Sequence, residues 1–265
     1  MELAIYQVDA FTSRLFGGNP AAIVPLEGAW LPDSTMQSIA AENNLAETAF
    51  FYRKADGRYD LRWFTPGLEI DLCGHATLAS AHVIFTHLEP AAARVAFDTK
   101  SGELVVTKDA STGRLAMDFP SRPPEPGAVD SRLKAALGGH PVQVMAARDY
   151  FVIYETEDEV RALEPDMREL KQLDRFGIIV TAPGKEVDFV SRFFAPAAGV
   201  DEDPVTGSAH CTLIPYWAER LGKSELRGRQ ISARVGDLWC SLREGGRVTM
   251  AGHAVEYLRG TITIP

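Results

Sequence analysis

The sequence predicts an α+β fold built from two copies of one domain, and three repeated features support this. An aromatic strand that ends at a proline occurs twice, with Arg62 and Arg192 at equivalent positions 130 residues apart. A glycine that opens an apolar segment also occurs twice, as Gly74 and Gly207, 133 residues apart. Glycine turns further along the chain repeat with offsets of 133 to 134 residues. Offsets this constant indicate an internal duplication.

The length of the chain agrees with a duplication. A chain of 265 residues suits two domains of about 130 residues each, which is a common domain size. Residues 120–126 contain four prolines, a composition typical of a linker. We therefore expect an N-terminal domain over residues 1–119 and a C-terminal domain over residues 127–265.

Each domain is predicted to be a curved mixed sheet, or barrel, around one central helix. The first of these helices should run from Gly74 to about Leu88, and it is apolar nearly all round. A helix with that pattern belongs inside a domain and not on its surface. The second should run from Gly207 to Leu221 and end at Gly222, since glycine commonly terminates helices.

Composition and charge exclude several classes of function. The chain has 36 acidic and 27 basic residues and a net charge of −9, which argues against a nucleic-acid partner. No apolar run reaches the length of a membrane span, and no basic leader precedes an apolar run at the N-terminus. The three cysteines are sparse and lack paired metal spacing. We expect a cytoplasmic protein that binds no metal.

The starts of the two central helices form a candidate site. A helix N-terminus binds anions well, and two such ends related by an internal two-fold axis are expected to meet at a crevice that takes a small carboxylate. His75 stands just inside the first helix, Ser208 just inside the second, and Asp203 on the loop before the second. Each residue alone is more often structural, but their duplication in register favours a site.

Glu47 opens an apolar strand and allows two interpretations. It is either a solvent-facing residue at a strand edge or a residue that faces the crevice. In the second case, burial among apolar side chains would raise the pKa of its carboxyl group. It could then take up and return a proton near neutral pH.

Four sequence motifs follow one another along nearly the whole chain. They are Asp9-Ala10-Phe11-Thr12 with Gly18-Asn19-Pro20, then Asn44-Leu45-Ala46-Glu47-Thr48, then Phe64-Thr65-Pro66 with Gly74-His75-Ala76-Thr77, and finally Asp201-Glu202-Asp203-Pro204-Val205-Thr206-Gly207-Ser208-Ala209-His210. In this order they resemble the phenazine-biosynthesis isomerase (PhzF-like) family, a branch of the diaminopimelate epimerase-like fold.

The resemblance implies a cofactor-independent isomerase of a small amino- or hydroxy-carboxylic acid, with two pseudo-symmetric domains and usually a homodimer. Glu47 falls where the family has its acid/base, which moves a proton between carbons of the substrate. His75 and Asp203 fall where the family holds the substrate's amine and hydroxyl groups and tunes that transfer. The implied substrate-binding residues are Asn19, Gly74, Gly207 and Ser208.

Cys73 departs from the phenazine enzyme itself, where alanine is expected before the glycine. Proline racemases and diaminopimelate epimerase have a cysteine there, but they use a second, facing cysteine, and this chain has Thr206 at that position. A two-thiol racemisation is therefore not expected. Cys73 is interpreted as a small buried residue at a helix start. A one-thiol lyase or epimerase, and a binding protein that has lost catalysis, stay open as alternatives.

Overall fold

The computed structural model describes residues 1–264 and divides into two units. The first contains residues Met1–Asp118 together with the C-terminal residues from Ala251, and the second contains Phe119–Met250. Each unit is a mixed sheet with few helices, which confirms the α+β class. Among the described residues, no helix has both the length and the hydropathy of a membrane span.

The first unit begins with eight strands and two main helices. Their bounds are β1 Glu2–Ala10, β2 Asn19–Leu26, α1 Asp33–Asn43, β3 Glu47–Arg53, β4 Tyr59–Phe64, β5 Glu69–Ile70, α2 Gly74–Val83 with a π-helical turn over Ile84–Leu88, β6 Arg94–Thr99, β7 Gly102–Lys108 and β8 Leu115–Pro120.

The second unit follows the same plan with a different start. Its elements are α3 Leu133–Leu137, β9 Gln143–Ala146, β10 Tyr150–Ile153, α4 Glu157–Ala162, α5 Met167–Leu170, β11 Ile178–Pro183, β12 Phe189–Ala195 with a 3₁₀ turn over Pro196–Ala198, β13 Val200–Glu202, α6 Gly207–Leu221, β14 Glu225–Gln230, β15 Gly236–Arg243 and β16 Arg247–Gly252. The last strand, β17 (Ala254–Thr263), returns to the first unit.

The order and direction of strand pairing repeat from one unit to the other. In the first unit, β1 to β2 is antiparallel, β2 to β3 parallel, β3 to β4 and β4 to β5 antiparallel, and β4 to β6 parallel. The strands β9 to β14 of the second unit pair in the same sequence of directions. The repeated motifs therefore mark a repeated topology.

The two repeated glycines begin the two central helices, as predicted. Almost every residue of α2 is buried, from His75 through Val83. Helix α6 buries its Gly207 end and Trp217, and its C-cap Gly222 adopts the left-handed conformation expected of a terminating glycine. The residues before the two helices, Cys73 and Thr206, both have extended backbones, and neither side chain caps its own helix.

The C-terminal strand corrects the predicted division of the chain. Strand β17 pairs antiparallel with β1 from Glu2 opposite Thr263 to Ala10 opposite Ala254. Residues 254–263 therefore belong to the first unit and not to a C-terminal domain over residues 127–265. The backbone of β1 supplies their hydrogen-bond partners, and no local pattern in the sequence identifies a partner so distant along the chain.

Candidate active site

Glu47 and His75 face each other in the first unit. Nε2 of His75 lies 2.9 Å from Oε2 of Glu47, and the two side chains are only 5% and 14% exposed. The atoms are close enough for an ion pair, although they are not aligned as a regular hydrogen bond. Glu47 thus lies against the start of α2, and the alternative of a solvent-facing carboxylate is wrong.

A turn between α1 and β3 places Glu47 at this position. Helix α1 ends at Asn44, whose φ of 48° is left-handed, a conformation that asparagine tolerates. The side-chain amide of Asn43 donates to the hydroxyl of Thr48 at 3.0 Å. Strand β3 then begins at Glu47, opposite Ala21 of the parallel strand β2. Glu47 is therefore the first residue of a buried strand.

Asn19 contacts the other side of the His75 ring. Its Nδ2 lies 3.1 Å from Nδ1 of His75, and Asn19 itself is fully buried. Gly18 allows this placement: its φ is 60°, and a Cβ there would lie 2.0 Å from the carbonyl oxygen of Ala10. Only glycine lets the loop pass this closely to β1. Asn19 then starts β2 directly opposite Ala10.

Cys73 is the second neighbour of Nδ1 of His75. Its Sγ lies 3.5 Å from that nitrogen, and the residue is 6% exposed. Burial, followed by the charge of Glu47, raises the pKa of the Cys73 thiol above its ordinary value. The group is therefore a thiol and not a thiolate near neutral pH.

Opposing effects act on the charge of His75. Burial lowers its pKa, whereas negative charge on Cys73 and on Glu47 raises it, and the net direction is upward. Because the Cys73 thiol is itself protonated near neutral pH, the contribution from sulfur is small there. The upward shift in the pKa of His75 therefore depends chiefly on the Glu47 carboxylate.

Glu47, Cys73 and His75 also offer three donor types that bind metals. Their ligand atoms lie within 4.8 Å of one another. However, the thiol approaches Nδ1 of the imidazole and the carboxylate approaches Nε2. One imidazole nitrogen binds one ion, so a shared ion would require one of the other side chains to move across the ring. The arrangement suits proton transfer along the ring better than a metal.

In the second unit, Asp203 belongs to a buried hydrogen-bond network at the start of α6. The hydroxyl of Thr206 donates to Oδ2 of Asp203 at 2.6 Å. The fully buried Gln230 accepts from the backbone N–H of Thr206 at 2.8 Å and donates to the backbone carbonyl of Asp203. Gln230 thus fixes both the loop of Asp203 and the first residue before the helix.

Ser208 has an arginine partner. Nη2 of Arg148 donates to Oγ of Ser208 at 3.1 Å. Arg148 is itself held by the buried carboxylate of Asp149, with Nη2 to Oδ2 at 3.0 Å, and its guanidinium lies 4.6 Å from the centre of the Phe176 ring. Because Arg148 donates to the Ser208 oxygen, the hydrogen of that hydroxyl is directed elsewhere.

The structure therefore gathers the sequence-predicted residues into two groups. Glu47, His75, Asn19 and Gly74 lie together in the first unit, and Asp203, Gly207 and Ser208 lie around the start of α6 in the second. Sequence reasoning missed Gln230 and Arg148. Gln230 ends an ordinary strand and Arg148 lies in a stretch without a readable pattern, so no local signal could have identified either residue.

A cavity of about 1360 Å³ lies elsewhere in the first unit. Its lining includes Leu26, Trp30, Phe51 and Leu88, with Arg53 and Glu89. It includes none of the residues around His75, and its wall carries no group suited to proton transfer between carbons. The chemistry of the side chains, and not cavity size, therefore locates the site.

Comparison with known proteins agrees with the fold and the motifs. The chain is 52% identical over 265 residues to an uncharacterized isomerase of Pseudomonas aeruginosa, with all of both chains covered. A crystal structure of a PhzF-family phenazine biosynthesis protein from Enterococcus faecalis superposes with a TM-score of 0.95 at 45% identity, again covering 100% of each chain.

A more distant structure has the same fold only. A hydroxyproline epimerase from Agrobacterium vitis superposes with a TM-score of 0.62 at 10% identity, covering 98% of this chain and 92% of the other. The epimerase-like fold is therefore confirmed. Residues 8–260 match the family described as phenazine biosynthesis-like protein. This match spans nearly the whole chain, and the protein belongs to the phenazine biosynthesis-like family.

Proposed function

We propose that this protein is an isomerase that moves a proton within a small amino- or hydroxy-carboxylic acid without a cofactor. The observation that carries the proposal is the contact between Glu47 and His75, at 2.9 Å in a largely buried part of the first unit. The name of the Pseudomonas aeruginosa relative, an isomerase, supports the class of reaction.

In the proposed reaction, the Glu47 carboxylate removes a proton from one carbon of the substrate. The electron pair of the broken C–H bond moves into the adjacent conjugated system. Glu47 then returns the proton to a second carbon, and a new C–H bond forms there. Nothing is oxidised or reduced, so the step balances without a co-reactant.

The remaining residues have proposed roles in binding and in holding charge. His75 holds the Glu47 carboxylate, and Asp203 accepts a hydrogen bond from an amine or hydroxyl group of the substrate. Ser208 and the backbone N–H groups at Gly74 and Gly207 are proposed to hold a carboxylate, since helix N-termini favour anions. The hydroxyl hydrogen of Ser208, which Arg148 leaves available, supports this role.

A second candidate is a lyase or epimerase that uses Cys73. The contact of 3.5 Å between its sulfur and Nδ1 of His75 favours this candidate, because an imidazole can activate a thiol. Against it stand the burial of Cys73 and the raised pKa of its thiol. A binding protein without turnover is the third candidate.

Deuterium exchange followed by mass spectrometry tests these candidates. Small unsaturated amino acids and hydroxylated amino and imino acids are incubated in heavy water with the wild type, Glu47→Gln and Cys73→Ala. We expect exchange or isomerisation that is lost in Glu47→Gln and kept in Cys73→Ala. Exchange that survives in Glu47→Gln and disappears in Cys73→Ala contradicts the proposal and supports the thiol enzyme. Ligand binding without any exchange supports the binding protein.

We further propose that the protein is a cytoplasmic homodimer, as the family resemblance implies. Sedimentation equilibrium measures the mass in solution directly. A mass of twice 29.0 kDa supports the dimer, and a mass of 29.0 kDa at all concentrations contradicts it.

A further inference from the structure

Asn19 lies where it can decide which nitrogen of His75 carries the proton. The residue is fully buried, and its side chain reaches α2 from the first position of β2. Its neighbour Gly18 fixes the loop by passing close to the carbonyl of Ala10, where any side chain would clash. The position of the Asn19 amide is therefore set by the backbone of the β1–β2 turn, and not by the ring that it contacts.

Both groups on the Nδ1 side of the ring are hydrogen-bond donors. The Nδ2 atom of Asn19, an NH₂ nitrogen, lies 3.1 Å from Nδ1, and the sulfur of Cys73 lies 3.5 Å from it. An NH₂ group can only donate, and a buried thiol donates weakly. A bare nitrogen satisfies both neighbours, whereas an N–H at Nδ1 would point at the hydrogens of Asn19.

The Nε2 side of the ring has the opposite character. The Glu47 carboxylate, which only accepts, lies 2.9 Å from Nε2. If the ring proton were on Nδ1, two lone pairs would face each other at this distance. The two sides of His75 therefore favour the same tautomer, with the proton on Nε2.

We propose that Asn19 is a positioning residue that holds the ring proton of His75 on Nε2, facing Glu47. The inference rests on the proposed function for its catalytic meaning, since it deepens the role of His75. With Oε2 of Glu47 held by Nε2–H, the proton from the substrate goes to Oε1. Asn19 thereby sets which oxygen of Glu47 reacts, without touching the substrate itself.

A second buried histidine provides an internal control. Nδ1 of His210 lies 2.8 Å from the backbone carbonyl of Thr206, which only accepts, so the proton of this ring is on Nδ1. Burial also lowers the pKa of His210 to about 4, and its ring is neutral at pH 7. His75 and His210 should therefore show opposite tautomers in one sample.

The experiment is a long-range ¹H–¹⁵N correlation spectrum of the ¹⁵N-histidine-labelled full chain at pH 7, with signals assigned through His75→Gln and His210→Gln. In the wild type, Nδ1 of His75 should resonate as an unprotonated nitrogen and Nε2 as a protonated one, with the reverse for His210. A protonated Nδ1 of His75 in the wild type overturns the proposal, whether or not any substrate is ever found.

Two variants test whether Asn19 is the cause. Asn19→Asp replaces the donor by an acceptor of the same shape and should give His75 protonated nitrogens on both sides, while His210 is unchanged. Asn19→Ala removes the donor without adding a charge and should leave the two tautomers of His75 mixed. A wild-type spectrum for His75 in both variants assigns the tautomer to Glu47 alone and overturns the role of Asn19.

The same variants connect the tautomer to turnover. With a substrate found by deuterium exchange, Asn19→Asp should lower kcat roughly 10- to 100-fold, because proton transfer contributes at least that much, while KM changes little. An unchanged kcat together with a changed tautomer overturns the positioning role. If no substrate exchanges, the proposed function fails, but the spectra still decide the tautomer.

Discussion

Arg62 and Arg192 make the same contacts, one in each unit. Nε and Nη2 of Arg62 donate to the two carboxylate oxygens of Glu69 at 2.7 and 2.8 Å. The corresponding atoms of Arg192 donate to the two oxygens of Glu202 at 2.8 and 2.9 Å. Each guanidinium also lies over the phenylalanine two residues further along its strand. The duplication therefore reaches the level of single hydrogen bonds.

The ion pair of Arg62 and Glu69 should stabilise the protein above pH 5 and not at pH 2. Hydrogen bonding from Arg62, aided by Lys100 and opposed by burial, lowers the pKa of Glu69 to about 2. A lowered carboxyl pKa stabilises the fold above the unfolded value of about 4.3, and this effect is lost as the pH falls toward 2. Urea unfolding of Arg62→Gln at pH 7 should show a loss of roughly 2–3 kcal/mol.

Lys100 provides the matched control for that measurement. It also contacts Glu69, but it is 52% exposed, so Lys100→Gln should cost less than about 1 kcal/mol. Equal losses in Arg62→Gln and Lys100→Gln, or the same acid sensitivity in Glu69→Gln as in the wild type, contradict the assignment.

Gly18 should tolerate no side chain, although its φ alone is not unusual for glycine. Gly18 and Gly28 have φ values of 60° and 72°, so alanine costs backbone strain at both. Only Gly18 would also place a Cβ 2.0 Å from a carbonyl oxygen, whereas nothing lies within 4 Å at Gly28. Gly18→Ala should lower the free energy of unfolding by at least about 2 kcal/mol more than Gly28→Ala. Equal losses contradict the close approach.

The hydroxyl of Thr206 should matter more than its methyl group. Thr206→Val removes the donor to Asp203 at nearly constant shape, whereas Thr206→Ser keeps it. With a substrate in hand, we expect Thr206→Val to lower kcat roughly 10- to 100-fold, since a hydrogen bond to a charged group is worth that much. Thr206→Ser should stay near the wild type. Loss of activity in both variants points to packing and not to the hydrogen bond.

Arg148 should affect substrate binding more than turnover. It acts through Ser208, which we propose to hold a substrate carboxylate. Arg148→Met should raise KM roughly 10-fold with a smaller change in kcat. Arg175 is the control, because it donates to the carbonyl of Ala147 and its ring contact is with Tyr150. A rise in KM of the same size in Arg175→Met contradicts the role of Arg148.

The three cysteines should react slowly in the native protein. Cys73, Cys211 and Cys240 are all buried. Burial raises the pKa of each thiol, to about 11 for Cys211. Alkylation near neutral pH should therefore be at least roughly 100-fold slower than in denaturant, where all three react. Rapid modification of Cys73 in the native protein supports the thiol enzyme.

Local patterns in the sequence predicted much of the fold. The repeated arginines and glycines located β4, β12 and the starts of α2 and α6, because each motif has its structural cause within a few residues. The short helix α4 was missed, although Thr156 and Glu159 form the capping box that marks its start. The family, the α+β class and the epimerase-like fold are confirmed.

Contacts between distant residues could not be predicted in the same way. Arg148 lies 60 residues from Ser208, and Gln230 lies 24 residues from Thr206. Neither belongs to a motif, and arginine and glutamine at such positions are ordinary surface residues in most sequences. Asn19 was predicted as a site residue through the family motif, but its contact with His75 appears only in the folded structure.

The pairing of β17 with β1 also affects how the chain is made. The second unit is continuous from Phe119 to Met250 and can fold as soon as those residues leave the ribosome. The first unit is synthesised first, yet strand β1 lacks its partner until the last residues are translated. The half of the protein that is made first is therefore the half that is completed last, and loss of the C-terminal strand damages the unit that carries Glu47 and His75.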